Sequence, residues 1–492
     1  MNNFKIHSVA YNFIMNIILK ISMFIFPLIT FPYVSRVLGA EANGKIAFAT
    51  SVVSYFSLMA SMGIPSYGVR KCAEVRDNVE KLNRTVRELL ILNSIFVVVT
   101  YLLFFLILFL VPKFRDNLIL FLIMSLTIAF NAFGVDWFYQ AIEQYDYITI
   151  RNIIFKILSV VLMIGFVSSP KDYILYAGIT VIGTVGSNIL NLIRLNKYVN
   201  FKYHGPYNYR QHLKPIVLLF VYNATTTIFT NLDQVLLGFM SGNKEVGYYA
   251  AVVKIKNILV SVITALGSVM LPRVSYYLGK KNKEKFIVLI KESFNFILVS
   301  SVPVIIFFIL ESRNIILILA GAKYLPAISI LNLTMPAVLF IGLSSVTAWQ
   351  LLLPLKMEKY TVVGAVVGSI VDLVTCIIFI PLYGGNGAAF GASLAEFSVL
   401  VVHIFVLRKI IKVTFDFTEL FKIILSGVSS LILTFYLKEI IVIPNKLFLS
   451  MLLVAVIYFV LYMVMLFFTR ERLFNKFFLS KICSILKGGS VK

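Results

Sequence analysis

The sequence is poor in charged residues, which make up 14% of its 492 positions, whereas about 25% is usual for a soluble domain. Hydrophobic residues make up 60%, and the mean hydropathy is +0.92. The chain is therefore not a set of soluble domains, although its length alone would allow about three. The composition indicates a membrane protein.

Cysteine and histidine are also scarce. The three cysteines, Cys72, Cys376 and Cys483, lie far apart and show no CxxC or zinc spacing, so the sequence predicts no disulfide framework and no metal site. It contains no P-loop, HExxH or GxSxG motif, and no loop is long enough to hold a catalytic domain. We therefore predict neither an enzyme nor a cofactor. The first apolar stretch has the length of a full span and is interpreted as an uncleaved helix.

Long apolar runs follow one another along the whole chain. Each is about 20 residues long, which suits a membrane-spanning helix and not the short alternating strands of a β-barrel. The sequence thus predicts an all-α, polytopic membrane protein with about fourteen transmembrane helices. The predicted spans are 9–36, 46–68, 89–111, 118–140, 151–169, 173–195, 215–240, 247–271, 293–311, 327–353, 361–382, 387–407, 420–438 and 447–468.

The excess of positive charge follows a topological pattern. With the N-terminus inside, 31 of the 45 Lys and Arg residues fall in inside loops and ten in outside loops. Such a bias predicts that both termini are cytoplasmic. It also accounts for the net charge of +23 without a nucleic-acid partner.

A weak internal repeat appears in the loops after the first and seventh spans. Val37-Leu38-Gly39 precedes Gly44, and Leu236-Leu237-Gly238 precedes Gly247. We therefore expect two pseudo-symmetric six-helix bundles, residues 1–214 and 215–412, followed by two additional helices and a basic cytoplasmic tail over 413–492. A further small-residue motif, Gly387-xxx-Gly391, predicts close helix packing in the twelfth span.

Polar residues inside the spans are candidates for a transport path, because each charge there costs about 2.5–3.5 kcal/mol at mid-helix. A cationic cavity formed by such lysines would favour an anionic solute such as pyrophosphate. Lys156 and Lys256 could instead extend to the headgroups, and Asp372 and Glu396 could simply neutralise lysines. The candidate cations are Lys20, Lys156, Lys254 and Lys256, and the candidate polar or ion-coupling residues are Asn12, Asn16, Asp233, Gln234, Asp372 and Glu396.

Three segments carry a family resemblance. Phe31-Pro32-Tyr33-Val34-Ser35-Arg36-Val37-Leu38-Gly39, Asp136-Trp137-Phe138-Tyr139-Gln140-Ala141 and Asp233-Gln234-Val235-Leu236-Leu237-Gly238 resemble segments of Wzx-type O-antigen and capsular polysaccharide flippases. These belong to the multidrug/oligosaccharidyl-lipid/polysaccharide exporter superfamily.

The resemblance implies a MATE-like fold in the bacterial inner membrane. It implies that an undecaprenyl-pyrophosphate-linked oligosaccharide is moved to the periplasmic leaflet, with the polymerase and chain-length proteins of the same pathway as candidate partners. Related flippases place cations on helices 1, 2 and 8, which Lys20 and Lys254 match on helices 1 and 8. Helix 2 departs from that pattern, because its nearest cation is Arg70, at its end.

Two rival functions remain at this point. A multidrug or cation exporter of the same superfamily would be expected to have a more acidic cavity. A polysaccharide polymerase or ligase would be expected to have a long periplasmic loop, and this topology offers none.

Overall fold

The computed structural model describes residues 7–201, 207–441 and 447–475, and contains no strand within those ranges. The predicted all-helical fold is confirmed. The α-helices are α1 Val9–Ser61, α2 Ile64–Val75, α3 Val79–Leu110, α4 Pro112–Arg115, α5 Leu118–Ala132, α6 Asp136–Ala141, α7 Tyr145–Phe166, α8 Tyr173–Val181, α9 Asn188–Leu195, α10 Arg210–Met240, α11 Asn243–Gly279, α12 Lys283–Leu310, α13 Ser312–Leu319, α14 Ala327–Ser345, α15 Lys359–Tyr383, α16 Gly385–Thr414, α17 Phe417–Ile441, α18 Leu447–Phe468 and α19 Arg472–Phe474.

Thirteen helical segments of the described residues are long and apolar enough to cross a membrane. The first, Ala10–Val75, has 66 residues and would be on the order of 100 Å long if straight, whereas the hydrocarbon core is about 30 Å thick. It bends at Gly39, where φ is 73° and ψ is −179°. Because each side of this bend is long enough for one crossing, the segment supplies two, in agreement with about fourteen spans.

The helices fall into two compact units, Met1–Ala250 and Ala251–Lys492. In the first unit α1 packs against α3, α5, α7 and α10, and α2 packs against α3 and α6. In the second unit α16 packs against α14 and α15, and α12 and α18 both pack against α17. The predicted division into residues 1–214, 215–412 and 413–492 stays a prediction.

Two glycine segments of the first unit contact each other reciprocally. A Cβ atom at Gly44 would lie 1.6 Å from the carbonyl oxygen of Asn243, and one at Gly247 would lie 1.9 Å from that of Ala40. Gly44 and Gly247 occupy the corresponding second glycine positions of the two segments of the internal repeat. The start of α11 therefore crosses α1 with backbone against backbone, which only residues without a side chain allow.

The end of α10 is held beside this crossing. Gly238 lies against the ring of Phe48, and a Cβ atom added at Gly238 would lie 2.2 Å from a carbon of that ring. The amino group of Lys113 donates a hydrogen bond to the carbonyl oxygen of Gly238. Lys113 lies between two spans, and burial lowers the pKa of its amino group. A lysine at this position satisfies a carbonyl that the helix end leaves open.

In the second unit the small-residue motif of α16 packs as predicted. A Cβ at Gly387 would lie 2.3 Å from the carbonyl oxygen of Phe379, and one at Gly391 would lie 2.9 Å from the Sγ atom of Cys376. The close approach of α15 and α16 therefore depends on both glycines.

We predict that Gly44→Ala and Gly247→Ala each destabilise the protein, because the added methyl group would overlap backbone atoms that cannot move aside. Overpacking of this kind costs about 1–3 kcal/mol or more. The measurement is the thermal unfolding midpoint of the purified protein in detergent. The matched control is Gly165→Ala on α7, where the new methyl group meets no atom within 4 Å. Equal midpoints for all three variants would contradict the crossing described above.

Candidate functional site

The first unit contains an open chamber of about 1000 Å³. Its wall is formed by α1, α2, α5, α6, α8, α9 and α10, by the π-helical segment Ile182–Gly186 before α9, and by the short connections at Gly63 and Gly134. All of these segments belong to candidate membrane-spanning helices. Its wall is rich in hydroxyl side chains, and these are Thr50, Ser54, Ser57, Ser61, Ser66, Thr127, Thr180, Thr184, Thr226 and Thr227. Its amide side chains are Asn131, Gln140, Asn188, Asn223 and Asn231. Since polar side chains in a span avoid lipid, the chamber is a hydrophilic space within the helix bundle.

Spacing along α1 explains one side of this wall. Thr50, Ser54, Ser57 and Ser61 follow one another at intervals of four, three and four residues, which places them on one helical face. The interpretation of the sequence missed this set, because it searched the spans for charges. The spacing itself was the signal that could have found it.

Many of these hydroxyl groups donate their proton to the backbone of their own helix. Thr50 Oγ1 donates to the carbonyl oxygen of Ile46 at 2.7 Å, and Ser61 Oγ donates to that of Ser57 at 2.5 Å. The same pattern holds for Ser54, Thr127, Thr180 and Thr184, at distances of 2.6–2.9 Å. A hydroxyl group has one proton and two lone pairs, so each of these oxygens presents mainly acceptor capacity to the chamber.

Among the described residues of the wall, Asp136 is the only one with a charged side chain. Its Oδ1 atom accepts hydrogen bonds from Arg151 Nη2 and Asn191 Nδ2, both at 2.7 Å. The Arg151 side chain is only 2% exposed and also donates to the carbonyl oxygen of Ser187. The carboxylate therefore ties α6 to α7 and α9, and the chamber carries no unpaired charge of its own.

The predicted candidates of the first unit lie outside the wall of this chamber, in two places. At one of them, Asn12 is buried with its amide 3.4 Å from Glu143 Oε2, and Lys156 donates to the hydroxyl group of Ser22 at 2.9 Å. Asn16 is half-buried and Lys20 is exposed on α1.

The other two first-unit candidates join α10 to its neighbours. Asp233 is buried and accepts a hydrogen bond from the hydroxyl group of Tyr249. Gln234 Oε1 accepts one from Ser51 Oγ at 3.1 Å. The structure therefore places both residues close to the crossing of α1 and α11.

The remaining candidates belong to the second unit. Lys254 is exposed on α11, and Lys256, two residues further on, is half-buried. Asp372 is buried on α15 with its Oδ1 atom 3.6 Å from Cys376 Sγ, and Glu396 is half-buried on α16.

A second polar cluster of the first unit connects α2, α3 and α10. The side chains of His212 and Glu88 are both fully buried, and His212 Nε2 lies 2.7 Å from Glu88 Oε2. The Tyr67 hydroxyl lies 2.8 Å from His212 Nδ1. Glu88 also accepts hydrogen bonds from Arg84 Nε and from the Asn208 backbone amide. No sequence pattern could predict this cluster, because His212 and Glu88 are 124 residues apart.

Together, these observations define a polytopic membrane protein whose spans line a polar chamber, which is typical of membrane transporters. Comparison with known families then identifies it more closely. The sequence profile of the family described as "Polysaccharide biosynthesis protein" matches residues 9–278, and that of the MatE family matches residues 219–352. Since the first match covers more than half of the chain, the protein belongs to the polysaccharide biosynthesis protein family.

Curated relatives agree with this assignment, and two solved structures share the fold. Two relatives are named "Putative O-antigen transporter". The one from Escherichia coli (strain K12) is 23% identical over 73% of this chain and 86% of its own length. The one from Shigella dysenteriae is 25% identical over 79% of this chain and 96% of its own length. The fold is similar to that of the lipid II flippase MurJ, with a TM-score of 0.68, 18% identity and coverage of 93% of this chain and 99% of MurJ. It is also similar to a multidrug resistance MATE family transporter, with a TM-score of 0.60, 13% identity and coverage of 79% and 95%.

The resemblance to the exporter superfamily and the MATE-like fold are thereby confirmed. The prediction of a transport protein and not an enzyme is confirmed at the level of the family.

We predict that Glu88→Ala lowers the free energy of unfolding by about 3–5 kcal/mol, because it removes the carboxylate that the fully buried His212 ring and the Asn208 backbone amide contact. The measurement is again the unfolding midpoint in detergent. Glu80→Ala is the matched control, since Glu80 is exposed on the same helix. A Glu88→Ala variant that unfolds at the temperature of the control would show that the cluster does not stabilise the unit.

Proposed function

We propose that the protein flips undecaprenyl-pyrophosphate-linked oligosaccharide repeat units from the cytoplasmic to the periplasmic leaflet of the bacterial inner membrane. The observation that supports this most strongly is the hydroxyl- and amide-lined chamber of about 1000 Å³ among membrane-spanning helices. A saccharide cannot cross the hydrocarbon core without replacing its hydrogen bonds to water, and such a chamber replaces them. The O-antigen transporters among the relatives make a glycan the natural cargo.

In this proposal both termini are cytoplasmic, as the distribution of Lys and Arg indicates. Lys20 and Lys254 bind the pyrophosphate, and Lys156 and Lys256 add to the positive potential. Lys20 and Lys254 are the two lysines of this set with exposed side chains, as an incoming anion requires.

The cycle is alternating access coupled to an ion gradient. Asp233, Asp372 and Glu396 are the candidate carboxylates for coupling, and Asn12, Asn16 and Gln234 are the candidate polar residues of the path. The buried positions of Asp233 and Asp372 support this role, because a buried carboxylate requires a proton, a cation or another positive group to compensate its charge.

The test of the function is a strain deleted for this gene, in which lipid-linked repeat units are assayed separately in the two leaflets. Intact units that accumulate on the cytoplasmic side and are cleared by re-expression are the expected result. Units that reach the periplasmic face but stay unpolymerised would overturn the proposal in favour of a polymerase.

A multidrug exporter is the second candidate, because the MatE family profile matches residues 219–352. A deletion strain that becomes sensitive to cationic drugs while its surface glycan stays intact would favour it.

We predict that Lys20→Ala and Lys254→Ala each reduce flipping at least about tenfold, because a hydrogen bond between charged groups contributes about 1.5–3 kcal/mol. Flipping is measured as surface glycan at matched expression. The control is Lys283→Ala, an exposed lysine at the start of α12. Wild-type glycan levels in both the Lys20→Ala and the Lys254→Ala variants would show that these lysines do not bind the substrate.

A further inference from the structure

We propose that the chamber of the first unit is a binding site for the saccharide alone, and that the saccharide it accepts is uncharged. This inference rests on the proposed function and divides the substrate between two places. The pyrophosphate is held by lysines outside the chamber wall, and the sugars occupy the chamber.

The first argument is the absence of cations from the wall. Among the described residues that line the chamber, none is a lysine or arginine. The one charged side chain is the carboxylate of Asp136, which is already paired with Arg151, so the wall offers an anion no unpaired positive group. A phosphate or a uronate placed there would give up water without gaining a positive partner, which is unfavourable in a helix bundle.

The second argument is the direction of the hydrogen bonds. Because Thr50, Thr127 and Thr184 use their protons on backbone carbonyls, their oxygens remain as acceptors toward the chamber. An acceptor-rich wall suits a ligand with many O–H donors. Sugar hydroxyl groups are such donors, whereas carboxylates and phosphates only accept.

The third argument is the composition of the α10 side of the wall. Tyr222 lines the chamber with 52% of its surface exposed, next to the amide of Asn223. A half-exposed aromatic ring offers an apolar face to the C–H groups of a sugar ring, while the amide supplies both a donor and an acceptor without charge. A neutral saccharide uses both kinds of group.

The first experiment determines the charge of the natural cargo. Lipid-linked repeat units that accumulate in the deletion strain are isolated, and their saccharide is released and analysed by mass spectrometry. The expected saccharide carries no uronate, sialate or additional phosphate. An acidic saccharide would overturn this inference and leave the flippase proposal intact. If no lipid-linked unit accumulates, the flippase proposal fails, and this inference fails with it.

The second experiment removes acceptors from the wall. The full-length variant T50V/T127V/T184V keeps the shape of each side chain, and loss of three hydrogen bonds is expected to slow clearance of the accumulated units at least about tenfold. The matched control T30V/T225V replaces two threonines that also donate to their own helix but do not line the chamber. Detergent gel filtration checks that both variants fold. Clearance at the wild-type rate by the triple variant would contradict a saccharide site in the chamber.

Discussion

The structure depends on one constraint, which is that a hydrocarbon core offers no partner to a polar group. Every backbone amide and carbonyl must then find its partner within the protein, and only helices do so segment by segment. The same constraint acts on side chains. By donating to carbonyls of their own helices, Thr50 and Ser61 satisfy their protons locally and still present an oxygen to the chamber. A hydrophilic space can therefore be built from helices without an unpaired charge in its wall.

Close backbone contact is the second requirement of this fold. Without water outside, apolar burial contributes little to helix association in a bilayer, so packing depends on small residues. The reciprocal contacts of Gly44 with Asn243 and Gly247 with Ala40 join the first and second glycine segments of the internal repeat. A weak sequence similarity thus corresponds to a physical contact, and the bend at Gly39 brings the chain to it.

The fold could be predicted from the sequence because long apolar runs follow directly from the thickness of the bilayer. The site was harder to predict, because charged residues are rare inside spans and attract attention, whereas the threonines and serines of the chamber wall are common there. Lys156 shows the difficulty, because its contact with Ser22 joins residues 134 positions apart. The polar face of α1 formed by Thr50, Ser54, Ser57 and Ser61 was visible in the sequence. That α1, α5, α8 and α10 surround one chamber depends on tertiary packing, which no local sequence pattern predicts.

The backbone-bonded hydroxyl groups also affect how firmly the chamber can hold a cargo. Water would hydrogen-bond to the same acceptors before the cargo arrives, so each sugar hydroxyl replaces a water molecule that already made an equivalent hydrogen bond. The net gain of each contact is then small, about 0.5–1.5 kcal/mol. Such a wall binds a saccharide through many weak hydrogen bonds, which can be broken one after another. This suits a transporter, because the bound saccharide must also be released.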